Sequence, residues 1–487
     1  MSTETKKTAP FEPTWESLRK FEAPDWFKNG KFGIWAHWGP QSVPMFGDWY
    51  ARFMYVQGTD QYNYHYKKYG HPTKVGWKDI VQMWKAEKFD PDALMDLYVK
   101  AGAKFFVSQA MHHDNFDNFN SKYNRFNSVN MGPHRDIVGE FRAAAKKRGL
   151  PFGVSEHLAA SFCWWAYNKG CDKTGKYAGI PYDASDPAYK DFYHDNREEM
   201  AKIDPNNPWS GGWYTENENF HKHWRDRMID LIDKYQPEML YSDGTLPFEQ
   251  YGLEVVAHLY NTSIAANGGV NQAVYTLKES NPDRYNIGAA DVERGVQKDI
   301  FPKPWQSETC IGQWFYDVRA RYKSFKQVIE MLVDVVSKNG TFLLNIPQKP
   351  DGTLDDESIT LLEQIGAWFQ VNGEAIYDTV PWYTAIEGDL KSEEGMFNEK
   401  ELAYTVRDFR FTKKGDAVYA FALAWPTDGK LAIRSFDSNR FKVEKVELLG
   451  YDGQIQFEQT SYGLILTNLP EKPPVSNANA FKVIVKE

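Results

Sequence analysis

Short apolar runs alternate with longer stretches of helical periodicity along most of the chain. The runs are Phe32–Ala36, Lys104–Ala110, Pro151–Ser155, Met239–Tyr241, Trp305–Thr309 and Thr341–Ile346, with a further candidate at Tyr285–Ala290. Between them, Asp90–Ala101, Asp136–Arg148, His221–Lys234, Phe325–Ser337 and Ser358–Val371 carry apolar residues at the spacing of one helix face. Asp90 reads as an N-cap, Pro91 fits the first turn, and Gly102 ends the helix. Between 250 and 284 no unit is placed. Strand–helix alternation over roughly 350 residues predicts a parallel sheet.

Each run stops at polar residues. The first ends in His37 and the second in His112 and His113; the third ends in Glu156 and His157, and the fourth in Asp243 and Gly244. Polar side chains at successive strand ends predict a closed (β/α)8-like barrel of the TIM type with its site at the C-terminal rim. An open doubly wound sheet is the alternative. No GxGxxG or GxxxxGK follows a strand, which counts against nucleotide binding. From about 384 the periodicity falls to two, in short runs such as AVYAFALAW and FKVIVKE separated by Gly or Asp. That predicts an antiparallel β-sandwich. The expected organisation is a polar lead-in at 1–20, a catalytic barrel at 21–383 and a sandwich at 384–487, the last expected to be structural or to make mild carbohydrate contact.

With 487 residues the chain exceeds one ordinary core. Its net charge of −9 and lack of any long basic block exclude a nucleic-acid partner. No apolar run is long enough to span a membrane. The N-terminal stretch MSTETKKTAPFEPTW has no apolar signal core, so the expectation is a cytoplasmic protein, or a periplasmic or secreted one whose signal has been removed. Three cysteines without a CxxC pair suggest free thiols and no structural zinc. Aromatic residues reach 16%, compatible with flat rings stacking on sugars as well as with a large core. Several of the tryptophans fall in a long insertion from Ala159 to about Trp213.

Two carboxylates on facing strand ends have the chemistry to cleave a glycosidic bond, one attacking the anomeric carbon and the other protonating the leaving oxygen. Asp243 and Glu308 share the expected rim, and Glu293 and Glu156 compete for the acid's place. His37, His112 and His113 suit a structural role, sugar contact or a metal. Adjacent histidines on an extended segment point apart, and no HExxH spacing is present, so no metal is expected.

At this level the sequence resembles the α-L-fucosidases of glycoside hydrolase family 29. The resemblance rests on FGIWAHWGPQSVP with DWYARFMY (32–55), AGAKFFVSQAMHHDNFDNFNS (101–121), HRDIVGEFRAAAKKRGLPFGV (134–154), PEMLYSDG (237–244), PWQSETCIGQWFY (304–316) and the segment from NGTFLLNIPQKPDG to TVPW (339–382). It implies a retaining, exo-acting enzyme with Asp243 as nucleophile and Glu308 as acid/base, Glu293 being the fallback. It implies His37, Asp48, Trp49, His112 and His113 around the fucose, with Tyr241 and Trp314 lining the pocket. Glu156 and His157 are added as substrate contacts. The implied partner is a fucosylated oligosaccharide or polysaccharide, and no cofactor is implied. Three positions depart from the family pattern. Asp48 stands for the usual Glu, Ser155–His157 stand where tyrosine is typical, and no Arg-Trp pair occurs between Asn261 and Leu277, which removes a fixed cation. These departures keep open a related sugar such as L-galactose or sulfated fucose. A non-catalytic carbohydrate-binding protein is the remaining alternative.

Overall fold

The computed structural model describes residues 7–204, 207 and 209–486. Eight parallel strands close into a barrel in sequence order. They are β1 (Phe32–Ala36), β2 (Phe105–Met111), β3 (Phe152–Glu156), β4 (Met239–Ser242), β5 (Val274–Leu277), β6 (Ala289–Glu293), β7 (Trp305–Cys310) and β8 (Gly340–Asn345). Closure is made by β1 against β8, with Ile34 opposite Leu344. Every residue of these strands is buried, because the barrel interior and the helix layer each cover one face. That is why the strands read as unbroken apolar runs rather than as alternating ones.

The helices follow the expected caps. Asp90 accepts from the Ala93 amide ahead of Pro91–Lys100, and Asp136 accepts from Gly139 ahead of Ile137–Lys147. Ser324 and Gln327 form a capping box at Phe325–Ser337. Two expectations fail between 250 and 300. Gln250–Ala266 is a helix followed by β5, and Pro282–Tyr285 is a helical turn, so β6 begins at Ala289 rather than near Tyr285. Strand β5 has only four residues, too few to show a period.

Beyond the barrel, antiparallel strands form two sheets. One has the order β13 (Lys442–Leu448), β16 (Asn479–Lys486), β11 (Ala417–Ala422), β10 (Phe409–Lys414) and β9 (Ile386–Glu387). The other has β12 (Leu431–Ile433), β15 (Gly463–Thr467) and β14 (Gln456–Thr460). A core including Phe411, Val418, Leu464 and Val483 fills the space between them. The outer face of the larger sheet packs on the barrel, with Phe421 against Trp368 of the helix Asp356–Asn372.

A buried ion network fastens the two parts. Asp334, on the helix Phe325–Ser337, accepts from Arg410 of β10 and from Lys338, 2.7 Å away. Their side chains are at most 2% exposed. Burial alone would raise the Asp334 pKa, but Arg410 and Lys338 outweigh it and hold the carboxyl below its usual value. Its contribution to stability is therefore present at neutral pH and is lost as the pH falls through the depressed pKa. Asp334→Ala leaves two buried cations unpaired, which should cost about 3–5 kcal/mol. Calorimetry should show a lowered unfolding midpoint; an unchanged midpoint would mean the network does not hold the sheet to the barrel.

Candidate active site

The strand ends surround a cavity of about 640 Å³. Among its lining are His37, Asp48, Trp49, His112, His113, His157, Tyr241, Asp243, Glu293, Glu308 and Trp314. Glu156 is not among them. It is fully buried behind β4, accepting from Ser242 Oγ at 2.6 Å, the Trp224 indole at 3.2 Å and the Ala159 amide. Strand alternation is the reason: the residue before His157 points away from the side His157 faces. Glu156 braces β4 from behind and lies outside the cavity lining.

Asp243 leaves β4 at a sharp turn. Gly244 takes φ 131°, and a Cβ there would stand 2.5 Å from the Tyr214 hydroxyl and 2.8 Å from the Trp213 indole nitrogen. Glycine lets Trp213 Nε1 donate to the Asp243 carbonyl at 3.2 Å. The Asp243 carboxylate meets Lys278 Nζ at 2.6 Å through one oxygen. Its other oxygen meets His113 Nε2 at 3.2 Å and His157 Nδ1 at 3.1 Å. Burial would raise the Asp243 pKa, but Lys278 and the two imidazoles override it and hold the group well below the ordinary carboxylate range.

Lys278, the residue after β5, was outside the sequence reading. It lies one position beyond the window in which the missing Arg was sought. Its ammonium also bonds Glu293 Oε2 and approaches Glu308 Oε1 at 3.5 Å. A fixed cation is therefore present, carried by a lysine. The available signal was a polar residue closing VYTL, but a four-residue strand gave no frame in which to see it.

The two glutamates differ in access. Glu308 has a side chain 1% exposed, accepts from Tyr241 OH at 2.9 Å, and lies close to buried Asp291. Burial pushes Glu308 well above its ordinary value and Asp291 up to about 7. Glu293 is 12% exposed and accepts from the Trp314 indole at 3.1 Å. Glu293 stands at the mouth; Glu308 forms the floor.

The histidines form a neutral wall. Burial, reinforced by neighbouring rings, lowers His37 and His112 well below the ordinary value, and burial brings His157 to about 4. His37 keeps both ring nitrogens unpartnered, and His112 keeps Nδ1. Buried nitrogens without partners are costly unless a ligand supplies hydrogen bonds. A nitrogen from each of His37, His112 and His157 lies within 4.8 Å of the others, close enough for a cation, and equally suited to a row of hydroxyls. Asp48, with its Oδ1 accepting from the Trp49 amide at 2.8 Å, is raised to about 7 by burial. Cys163, Cys171 and Cys310 are all free thiols. Among the described residues no helix is long and apolar enough to cross a membrane.

Known proteins of one family resemble this chain over most of its length. Residues 1–374 match the family model for alpha-L-fucosidase, and residues 400–484 match that for the alpha-L-fucosidase C-terminal domain. The tissue alpha-L-fucosidase of Rattus norvegicus is 29% identical over 95% of this chain and 89% of its own length. The plasma alpha-L-fucosidase of Homo sapiens is 28% identical over the same shares. The structure of Thermotoga maritima alpha-fucosidase in complex with fucose superposes with a TM-score of 0.73 at 26% identity, covering 97% of this chain and all of that one.

Lys278→Met removes the largest influence that lowers the Asp243 pKa. The Asp243 pKa should rise by about 1–3 units in a carboxyl ¹³C NMR titration of the ligand-free protein, and Lys278→Arg should restore most of the shift. An unmoved titration would show that Lys278 does not set the charge of Asp243.

Proposed function

The chain belongs to the α-L-fucosidase family, and from that premise we propose that it is an exo-acting α-L-fucosidase working with retention of configuration on terminal fucosyl groups of glycans. The observation carrying this reading is the pair Asp243 and Glu293 bridged by Lys278. Oxygens bonded to one nitrogen lie within about 6 Å of each other, since neither arm much exceeds ~3 Å. That spacing falls on the retaining side, about 5–5.5 Å between carboxyls, rather than on the wider inverting side.

In the first step Asp243, ionised and held by Lys278, attacks the anomeric carbon. Glu293 gives its proton to the glycosidic oxygen as that bond breaks. The products of this step are a fucosyl ester on Asp243, a carboxylate on Glu293 and the free alcohol. In the second step Glu293 takes a proton from water, whose oxygen displaces Asp243 from the sugar. One negative charge passes between the two carboxyls, and one ammonium touches both. The lysine thus serves whichever of the pair is ionised.

Access favours Glu293 over Glu308 as the acid/base, reversing the order expected from the resemblance. The leaving oxygen lies on the open side of the pocket, where Glu293 is 12% exposed, whereas Glu308 is 1% exposed on the floor and bonded to Tyr241. His37, His112 and His113, with Asp48, would meet the sugar hydroxyls, the neutral imidazoles of His37 and His112 accepting and donating without a desolvated charge.

Asp243→Gly should lower hydrolysis of an aryl α-L-fucoside at least about 10³-fold. A 2-fluoro-fucosyl label should map to the peptide holding Asp243. Glu293→Ala should lose about 10²–10⁴-fold on substrates with poor leaving groups and regain turnover of activated ones with azide. Azide rescue confined to Glu308→Ala would return the acid/base role to Glu308, and a label on any other residue would end the assignment of Asp243.

A further inference from the structure

Four large apolar side chains stand exposed at the mouth of the catalytic cavity. Trp209 and Phe397 are each 65% exposed, Met396 38% and Trp213 36%, and all four line the cavity. They form two groups on different parts of the chain. Trp209 and Trp213 come from the aromatic insertion and lie against Trp49, with ring centroids 4.9 and 6.4 Å away. Trp213 also bonds the nucleophile's own carbonyl, so this pair flanks the side from which Asp243 attacks.

Met396 and Phe397 lie on the acid's side, in the segment between β9 and β10. This segment is bonded to the end of β6 and the turn after it. The Gly395 amide donates to Val296 O at 3.0 Å, the Phe397 amide to Glu293 O at 2.9 Å, and the Asn398 amide to Arg294 O at 3.1 Å. A Cβ on Gly295 would stand 1.8 Å from Gly395 O, so the two backbones are in direct contact. Phe397 itself sits in the left-handed region at φ 58°, a strained conformation for a residue with a Cβ. Behind Phe397 lies a second cavity of about 470 Å³, and Phe397 and Arg294 line both. Its charged lining is balanced, four basic side chains against four acidic.

We propose that Phe397 and Met396 form a stacking subsite for the pyranose attached to the scissile bond, and that the cavity behind Phe397 receives the next sugar of a neutral oligosaccharide. This rests on the fucosidase reading given above. In a displacement at the anomeric carbon the leaving group departs on the side opposite the nucleophile, toward the acid. Phe397 is hydrogen-bonded to that acid's own backbone, so the departing ring passes it. The apolar face of a pyranose covers an exposed phenyl ring, and the balanced cavity favours hydroxyls over sulfate groups, which need a net positive lining.

The test compares α-L-fucosyl fluoride, which carries no leaving sugar, with neutral α-L-fucosyl di- and trisaccharides. Phe397→Ala should lower the ratio of disaccharide to fluoride kcat/KM about tenfold, and Phe397→Trp should preserve it. Met331→Trp, which fills only the second cavity, should lower the trisaccharide-to-disaccharide ratio. Unchanged ratios would overturn the proposal, as would an equal loss on fluoride and disaccharide in Phe397→Ala, because the segment would then serve only to hold Glu293. Failure of the unaltered enzyme to turn over the fluoride would instead overturn the fucosidase reading.

Discussion

One buried ammonium organises the centre of this molecule. Lys278 reaches Asp243, Glu293 and Glu308 from the ends of four adjacent strands, β4 to β7. At an effective dielectric of about 20, two like charges 4 Å apart repel by about 4 kcal/mol. Three carboxylates brought together without a cation would protonate or spread the barrel rim. With Lys278 in place, Asp243 is held below the ordinary carboxylate range, while burial pushes Glu308 and Asp291 above it. Burial and the distance to Lys278 together thus set the basicity of each acid.

The barrel was legible because its strands are buried on both faces. Phe32–Ala36, Phe105–Met111 and Met239–Ser242 stand out as largely apolar runs that no surface loop would carry, and the capped helices between them fix the alternation. Strand β5 was not legible. Four residues between a helix and a turn show neither period, and its end residue went unread with it. The site's histidines and Asp243 could be seen because they close recognisable runs, and Trp314 because it falls in a segment resembling the family's. Glu156 was misplaced by a single step in the pleat, which separates a pocket wall from the layer behind it.

Other parts of the site were hidden because they depend on contacts distant in sequence. Nothing in GMFNEK near 396 signals that its backbone will lie on the end of β6, about a hundred residues earlier. The ranking of Glu293 and Glu308 is hidden for the same reason. Glu293 closes β6 and Glu308 lies inside β7, and only the deeper burial of Glu308 beside Tyr241 and Asp291 separates them.

The clasp between 394–398 and the turn after β6 bears on how such a protein can change over generations. A barrel and a sandwich look like exchangeable modules, each with its own core. Here, however, the stretch leading into the larger sheet forms part of the wall around an active-site glutamate. A recombination joint placed between the two would graft a foreign strip onto that wall, so the halves must be inherited together.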